Sequence, residues 1–498
     1  MKPTGFPLGC ASLLLVGSLG ACAVGPNYHT PKAPDTALTP TPLPGATQAA
    51  GGQAQSFVLA GDISGDWWTL YHSPELNALI QAALANNPSL QAAQATLRAA
   101  EEDQRAAEGA LFPTVSGNFQ VQRAQTSIAA PESQGFAATA APAPYTLYNA
   151  SLGVSYALDL FGGSRRQVES LAAQTDYQRD QLEAAYLTLS ANIVTAAIGE
   201  AALQAQIADT QQVIGDEQHE LSILNTQVSL GGAPQSAVLQ QQATLAAAQA
   251  TLPPLESQLA QMQNQLAAYV GVFPGNFHAA EFTLASLTLP QDLPVSLPSQ
   301  LVAQRPDIEA AAAQLHTASA KLGVADANML PQISLSADIG HEGLTPAMLF
   351  TPQTLLWSLA AGVAQPIFEG GILSAQRKAA QANLQGAAAQ YQSTVIGAFQ
   401  NVADVLTALQ YDAQTLDAAQ AAQDAAAQSL SVTQSQYQLG AVPFTAVLTA
   451  QTTYQNAAIA QVKASAARLA DTAALYQAMG GGWWHRNDVS APCCGVIP

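Results

Sequence analysis

The sequence predicts a mainly α-helical protein that also carries a membrane β-barrel panel: four antiparallel transmembrane strands per chain together with long coiled-coil helices. Three observations carry this. One proline-free stretch of about 66 residues, Ile372 to Tyr437, holds a seam at the 3.5-residue period of a coiled coil. A second such stretch and its turn repeat the first at an offset of 209 residues. Four segments of about ten residues alternate apolar and polar, the length and dyad pattern of barrel strands.

The seam of the C-terminal stretch reads Leu384, Ala388, Tyr391, Val395, Ala398, Val402, Val405, Leu409, Asp412, Leu416, Ala419, Gln423, Ala426, Leu430, Thr433 and Tyr437. Such a helix would be about 100 Å long, roughly three times the hydrocarbon thickness of a bilayer. Gln, Asp, Ser and Thr dot it throughout, so it is no membrane span. The N-terminal copy runs through Leu182, Tyr186, Leu189, Ile193, Ala196, Glu200, Leu203, Ile207, Thr210, Ile214, Glu217, Leu221, Leu224 and Val228. Each copy ends in a matching breaker: Leu230, Gly231, Gly232, Ala233 and Pro234 in the first, Leu439, Gly440, Ala441, Val442 and Pro443 in the second. Glycine suits the left-handed end of a helix and proline the first turn of the next. Each long helix is therefore expected to turn back as a hairpin.

The strand candidates fall in residues 113–127, 145–161, 331–345 and 354–369. Val115, Gly117, Phe119 and Val121 form one apolar row, and Leu152, Val154, Tyr156, Leu158 and Leu160 the next. Ile333, Leu335, Ala337 and Ile339, then Trp357, Leu359, Ala361 and Val363, repeat the pattern. Four strands cannot close a barrel, and an open sheet edge is not tolerated in lipid. The chain must oligomerise.

Composition narrows the function classes. Charged residues are 10% of the 498, against about a quarter in typical soluble proteins, so the exposed faces must be polar without charge. The net charge of -19 argues against a nucleic-acid partner. No phosphate-binding loop and no His-Glu-x-x-His motif is present, and the seven histidines are scattered. The reading is a protein that is not an enzyme, with no catalytic residues, no metal ligands and no cofactor. Asn149-Ala150-Ser151 matches a glycosylation sequon inside a strand, a chance match.

The remaining segments follow in order. Lys2, an apolar run from Leu8 to Leu19 and the small residues before Cys22 read as a signal peptide over residues 1–21. Leu19-Gly20-Ala21-Cys22 resembles a bacterial lipobox, which makes Cys22 the lipidated first mature residue. Residues 22–65, rich in Pro, Ala, Thr and Gly, read as a lipid-anchored tether. The first structural repeat spans 66–272, with its tip at 230–234. Pro88 breaks its opening helices, and Pro253-Pro254 is expected to interrupt the returning one. Residues 273–298 form an irregular connector. The second repeat spans 299–482, opens on one helix from Ser299 to Asn328, and has its tip at 439–443. Residues 483–498, with the adjacent Cys493 and Cys494, read as a disordered tail.

Taken together, the chain resembles the outer-membrane factor (TolC/OprM-like) family, the exit ducts of tripartite efflux pumps, and within it the lipoprotein branch. The residues that carry the resemblance are Cys22 to Tyr28, Trp67-Trp68, Ala83 to Pro88, Leu252 to Leu255, Arg305 to Ile308, Gln365 to Phe368 and Leu475 to Gly481. The resemblance implies a homotrimer with a 12-strand barrel and an α-helical periplasmic barrel, anchored in outer-membrane lipid. It implies tips that dock a periplasmic adaptor (membrane fusion) protein, and an inner-membrane RND-type pump that supplies the energy. It also implies a pore constriction, here at Tyr437, Phe444, Ala446, Leu448 and Thr449. The chain departs from the family pattern where acidic residues often follow each tip: Ala237, Gln240, Ala446 and Thr449 stand there. The expected function is a passive outer-membrane duct exporting drugs or other small molecules. The rival readings are a duct for metal ions or for type I protein secretion, and a non-conducting lipid-anchored coiled-coil protein.

Overall fold

The computed structural model describes residues 23–39, 42–51, 53–125, 144–278 and 282–486. The elements in chain order are β1 (Ser56–Leu59), α1 (Pro74–Asn86), α2 (Pro88–Gly109), β2 (Thr114–Ala124), β3 (Tyr145–Leu158), α3 (Gly163–Ser229) and α4 (Gln235–Val270). They continue with β4 (Asp292–Val295), α5 (Pro298–Gln304), α6 (Pro306–Ala327), β5 (Gln332–Gly343), β6 (Leu355–Ala364), α7 (Ile372–Gln438) and α8 (Phe444–Ala478). Two compact units result, and they cut across both sequence repeats. One comprises residues 1–30, 98–177 and 312–390; the other comprises 31–97, 178–311 and 391–498.

The first unit contains an antiparallel sheet in the order β2-β3-β5-β6. Its register pairs Val115 with Val154, Leu152 with Ile339, and Ile339 with Trp357. The alternating apolar rows of all four strands thus share one face, because a strand's side chains alternate sides with period two. At the end of the sheet where Leu158 pairs with Ile333, the chain passes into α2, α3, α6 and α7. Polar links staple that end: Arg165 to Asp159, Arg377 to Asp326, and Gln365 Nε2 to the Met329 carbonyl.

The segment after Cys22 is not loose in this unit. The amide of Val24 donates to the Phe161 carbonyl at 3.0 Å. Arg166, buried, donates to Val24 O at 3.1 Å and to Asn27 Oδ1 at 2.7 Å. Tyr28 stacks on His316, whose Nε2 lies 2.9 Å from Glu169 Oε1. The tether expected over residues 22–65 is therefore fastened at residues 24–28. Cys22 itself, and with it the lipid attachment, lies outside the described residues.

The second unit is built on the two seams. Every seam position from Leu182 to Val228 and from Tyr391 to Tyr437 is buried or half-buried. Its main core gathers Trp67, Tyr71, Ile80, Ile193, Ile198, Val402, Leu409 and Tyr476. Trp67 stacks on Tyr476 with ring centroids 5.4 Å apart. α3 is long and apolar enough to cross a bilayer, but 61% of its apolar window is buried inside the protein. That is the mark of a core helix.

Four sequence expectations fail here, each for a physical reason. Pro253 and Pro254 do not interrupt α4, which runs unbroken from Gln235 to Val270. The carbonyls of Gln249 and Ala250, which lose their usual donors, belong to exposed residues and reach water. The helix expected from Ser299 to Asn328 is instead two, because Arg305 before Pro306 is forced to φ −91°, ψ 120°. Asn87 before Pro88 obeys the same rule at φ −64°, ψ 121°, and its Oδ1 caps α2 by accepting from the amides of Ser89 and Leu90.

Residues 50, 51 and 53–59 leave the tether and join the core. β1 pairs in parallel with β4, inside what reads as an irregular connector. Arg468, 2% exposed, donates to Ala50 O, Gln53 O and Gln55 Oε1. The tail expected to start at residue 483 also begins with structure. Trp483 Nε1 donates to Gln304 O at 2.8 Å, and Arg486 lies 3.8 Å over the Tyr186 ring. Residues 487–498, with Cys493 and Cys494, lie outside the described residues.

The C-terminal seam has one acidic position, Asp412. Burial first, then the Asp471 carboxyl beside it, push Asp412 up to about 7, against the pull of Arg468. A carboxyl held above its unfolded value contributes stability that is whole below about pH 4 and is lost as pH climbs to about 7. Thermal melting of the full protein across that window is expected to show a falling midpoint, and Asp412→Asn to make the fall shallower. An unaltered slope in the variant would remove Asp412 from the account.

Candidate functional site: the membrane panel and the hairpin tips

The panel comes first. On a soluble sheet an apolar face is covered, yet here it lies open. Phe119 is 65% exposed, Trp357 72% and Leu359 75%, and Val115, Leu152, Ile339 and Val363 stand beside them, also exposed. The opposite face carries Ser116, Asn118, Ser151, Gly153, Ser334, Ser336, Ser358 and Gly362. An apolar band of this size facing outward from two-sided strands is what hydrocarbon accommodates and water does not. β2 and β6 each have one edge without a strand partner among the described residues.

The tips are built by the same local chemistry twice. At the first, the amide of Gly232 donates to Gln227 O at 2.8 Å and that of Gly231 to Val228 O at 3.0 Å. At the second, Ala441 donates to Gln436 O and Gly440 to Tyr437 O, both at 2.9 Å. This crossed pair of bonds closes a helix on a left-handed residue, and Gly231 and Gly440 supply it at φ +75° and +73°. Pro234 and Pro443 then open α4 and α8. Leu230 and Leu439 are left 80% and 85% exposed at the apices, beside exposed Gly232, Pro234, Ala441 and Pro443 and half-buried Ala233 and Val442.

The two hairpins are fastened to each other just behind the tips. Leu224, Ala237, Val238, Phe444 and Val447 form one buried cluster, with Leu221, Val228, Tyr437 and Leu448 packed against it. Tyr437 donates from its hydroxyl to Gln227 Oε1 at 3.1 Å, and its ring lies 5.4 Å from that of Phe444. Of the five residues read as a constriction, the fold thus brings Tyr437, Phe444 and Leu448 together inside this cluster. Ala446 is half-buried and Thr449 exposed outside it. Gln227 is the member that sequence reading passed over. It lies one residue before the seam position Val228, and only the packing of the two hairpins against each other brings it to Tyr437. Among the described residues no group of three or more His, Cys, Asp or Glu could hold a metal.

A sheet with a bilayer-facing apolar side and unfinished edges, joined in sequence to two helical hairpins with solvent-exposed tips, defines a subunit of an outer-membrane duct. The model of the outer membrane efflux protein family matches residues 79–272 and 297–481. The chain belongs to that family and, with it, to the efflux channels of the outer membrane. Its relatives include the pyoverdine export outer membrane protein OpmQ of Pseudomonas putida, 30% identical over 451 residues, which are 89% of this chain and 94% of OpmQ. The crystal structure of the outer membrane protein VceC from Vibrio cholerae superimposes with a TM-score of 0.79 at 27% identity, covering 84% of this chain and all of VceC. The Campylobacter jejuni CmeC outer membrane channel shares the fold, with a TM-score of 0.83 at 22% identity over 94% of this chain and 97% of its own.

Removing the tip latch tests its contribution. Tyr437→Phe deletes one partly buried hydrogen bond and keeps the ring packing, so it is expected to cost about 1 kcal/mol of local stability. Amide exchange of residues 221–245 and 430–450 should quicken together. Unchanged exchange at both hairpins would show that the bond does not couple them.

Proposed function

We propose that three copies of this chain close their panels into one barrel and form a passive duct, through which small molecules from an inner-membrane RND-type pump leave the cell. The observation that carries the reading is the four-stranded panel, apolar on one face and small and polar on the other, with β2 and β6 at unpartnered edges. Unpaired backbone groups facing hydrocarbon cost several kcal/mol each, so the edges must find each other across chains. Two panels would make an eight-strand barrel, whose interior side chains fill it; three make twelve strands and leave a lumen. The serines, glycines and asparagine of the inner face suit such a lumen.

The remaining assignments extend that reading. Acyl chains on Cys22 anchor the N-terminus in outer-membrane lipid; the fastening of residues 24–28 by Arg166 and Phe161 supports an anchor set at the sheet end where the helices emerge. The exposed tips, Leu230 to Pro234 and Leu439 to Pro443, dock a periplasmic adaptor protein. The cluster behind them, with Tyr437, Phe444 and Leu448, together with Ala446 and Thr449, narrows the closed pore by apolar packing and neutral hydrogen bonds. Export of a small molecule by the OpmQ relative, as its name states, supports small-molecule cargo.

The tips provide the test. Gly231→Pro combined with Gly440→Pro removes one of the two closing amides at each tip and the left-handed residue on which the helix ends. Efflux in cells is expected to be lost while assembly and outer-membrane delivery persist. Drug susceptibility unchanged from wild type would contradict docking through the tips.

A further inference from the structure

The first hairpin holds a carboxylate where its seam calls for an apolar group. Glu217 of α3 is fully buried, and so is the side chain it meets, Gln241 of α4. Gln241 donates from Nε2 to the Glu217 carbonyl at 2.9 Å and also to Glu217 Oε2. Two oxygens are left over: Glu217 Oε1 and Gln241 Oε1 are both buried with no hydrogen-bond partner. An ionised carboxylate and an amide carbonyl only accept, so no donor remains for either. We propose that Glu217 is carried as the neutral acid, and that this proton fastens the first hairpin's two helices together behind its tip.

The surroundings support it. Among the described residues no cation acts on the carboxyl. On α3 its neighbours are Asp216 and Glu220, both acidic, with exposed His219 acting on Glu220. α4 carries no titratable side chain between Gln235 and Leu255, and the corresponding stretches of α7 and α8 carry Asp424, Tyr437 and Tyr454. Burial is the largest influence and raises the Glu217 carboxyl above its ordinary value; Gln241 pulls the other way, and Glu220 and Asp216 add to the rise. A protonated carboxyl carries no buried charge and gains an O–H donor, which is what the two orphaned oxygens lack. On ionisation the proton leaves to solvent, and an uncompensated charge stays in the seam.

The second hairpin is the internal contrast. Shifted by 209 residues, Glu217 and Gln241 become Ala426 and Ala450, and Ala426 is buried. The proton link belongs to one hairpin of the pair. Under the duct reading, from which the link itself is independent, the first docking tip is firmer in acid than in alkali and the second is indifferent.

The test is amide hydrogen exchange on the full-length protein in detergent from about pH 5 to about pH 9, comparing residues 212–245 with 421–454. The ratio between hairpins cancels the intrinsic pH dependence of exchange, and the second window leaves out Asp412. Stability tied to a raised carboxyl is lost as pH rises through its folded value, so the first hairpin is expected to lose protection relative to the second as pH rises across this range. Glu217→Gln, which keeps the shape without the charge, is expected to flatten the ratio. Glu217→Ala, the residue the second hairpin uses at this place, is a second variant expected to do the same. A flat ratio in the wild type, or a slope that survives in both variants, would overturn the proposal. Because exchange reads the hairpin directly, failure here is distinguishable from failure of export.

Discussion

Everything in this fold answers to one constraint: a backbone amide inside a bilayer has no water to turn to. β2, β3, β5 and β6 satisfy one another through the interior of their sheet, and the outer edges of β2 and β6 have no strand to meet. The apolar face, with Phe119, Trp357 and Leu359 open to the surroundings, places that sheet in lipid, where an open edge costs most. The single chain is therefore an unfinished object. The sparse charge of α4, α7 and α8 fits the same logic. Their exposed faces of Gln, Ser, Thr and Ala are soluble yet short of fixed charge, which suits surfaces that meet other copies of the chain.

The hairpins are held by a different balance. Their seams bury leucine, isoleucine, valine and alanine, but also Glu200, Glu217 and Asp412, carboxyls whose burial holds them above their ordinary values. Each substitutes a titratable group for an apolar one and makes the packing depend on protons. The tips themselves rely on backbone geometry alone: crossed hydrogen bonds onto a left-handed glycine, then a proline start. The two tips share that geometry while their seams differ.

Much of this was legible in residue order because it is periodic or local. The 3.5-residue seam, the two-residue strand alternation and the Gly-to-Pro spacing of the tips each depend on neighbours a few positions away. What escaped depends on partners far off in sequence. The four-residue pairing of β1 with β4 joins residues 236 apart, Ser56 with Asp292, and neither strand has a length or pattern to announce it. Arg468 reads as one more polar helix residue until its guanidinium is seen taking the carbonyls of Ala50 and Gln53. Pro253-Pro254 predicts an interruption from residue order alone, whereas the carbonyls it deprives, on exposed Gln249 and Ala250, reach water and α4 continues through it. The break at Arg305-Pro306 was legible by the rule applied at Asn87-Pro88, and only the apolar pattern on both sides concealed it.

The most direct measurement of the central claim is single-channel conductance of the purified assembly in a planar bilayer. Panels that join edge to edge around a lumen predict discrete, long-lived conducting levels, larger when the tip cluster is loosened. A folded, correctly assembled protein that never conducts, even with its tips opened, would contradict the duct and leave a lipid-anchored helical spacer in its place.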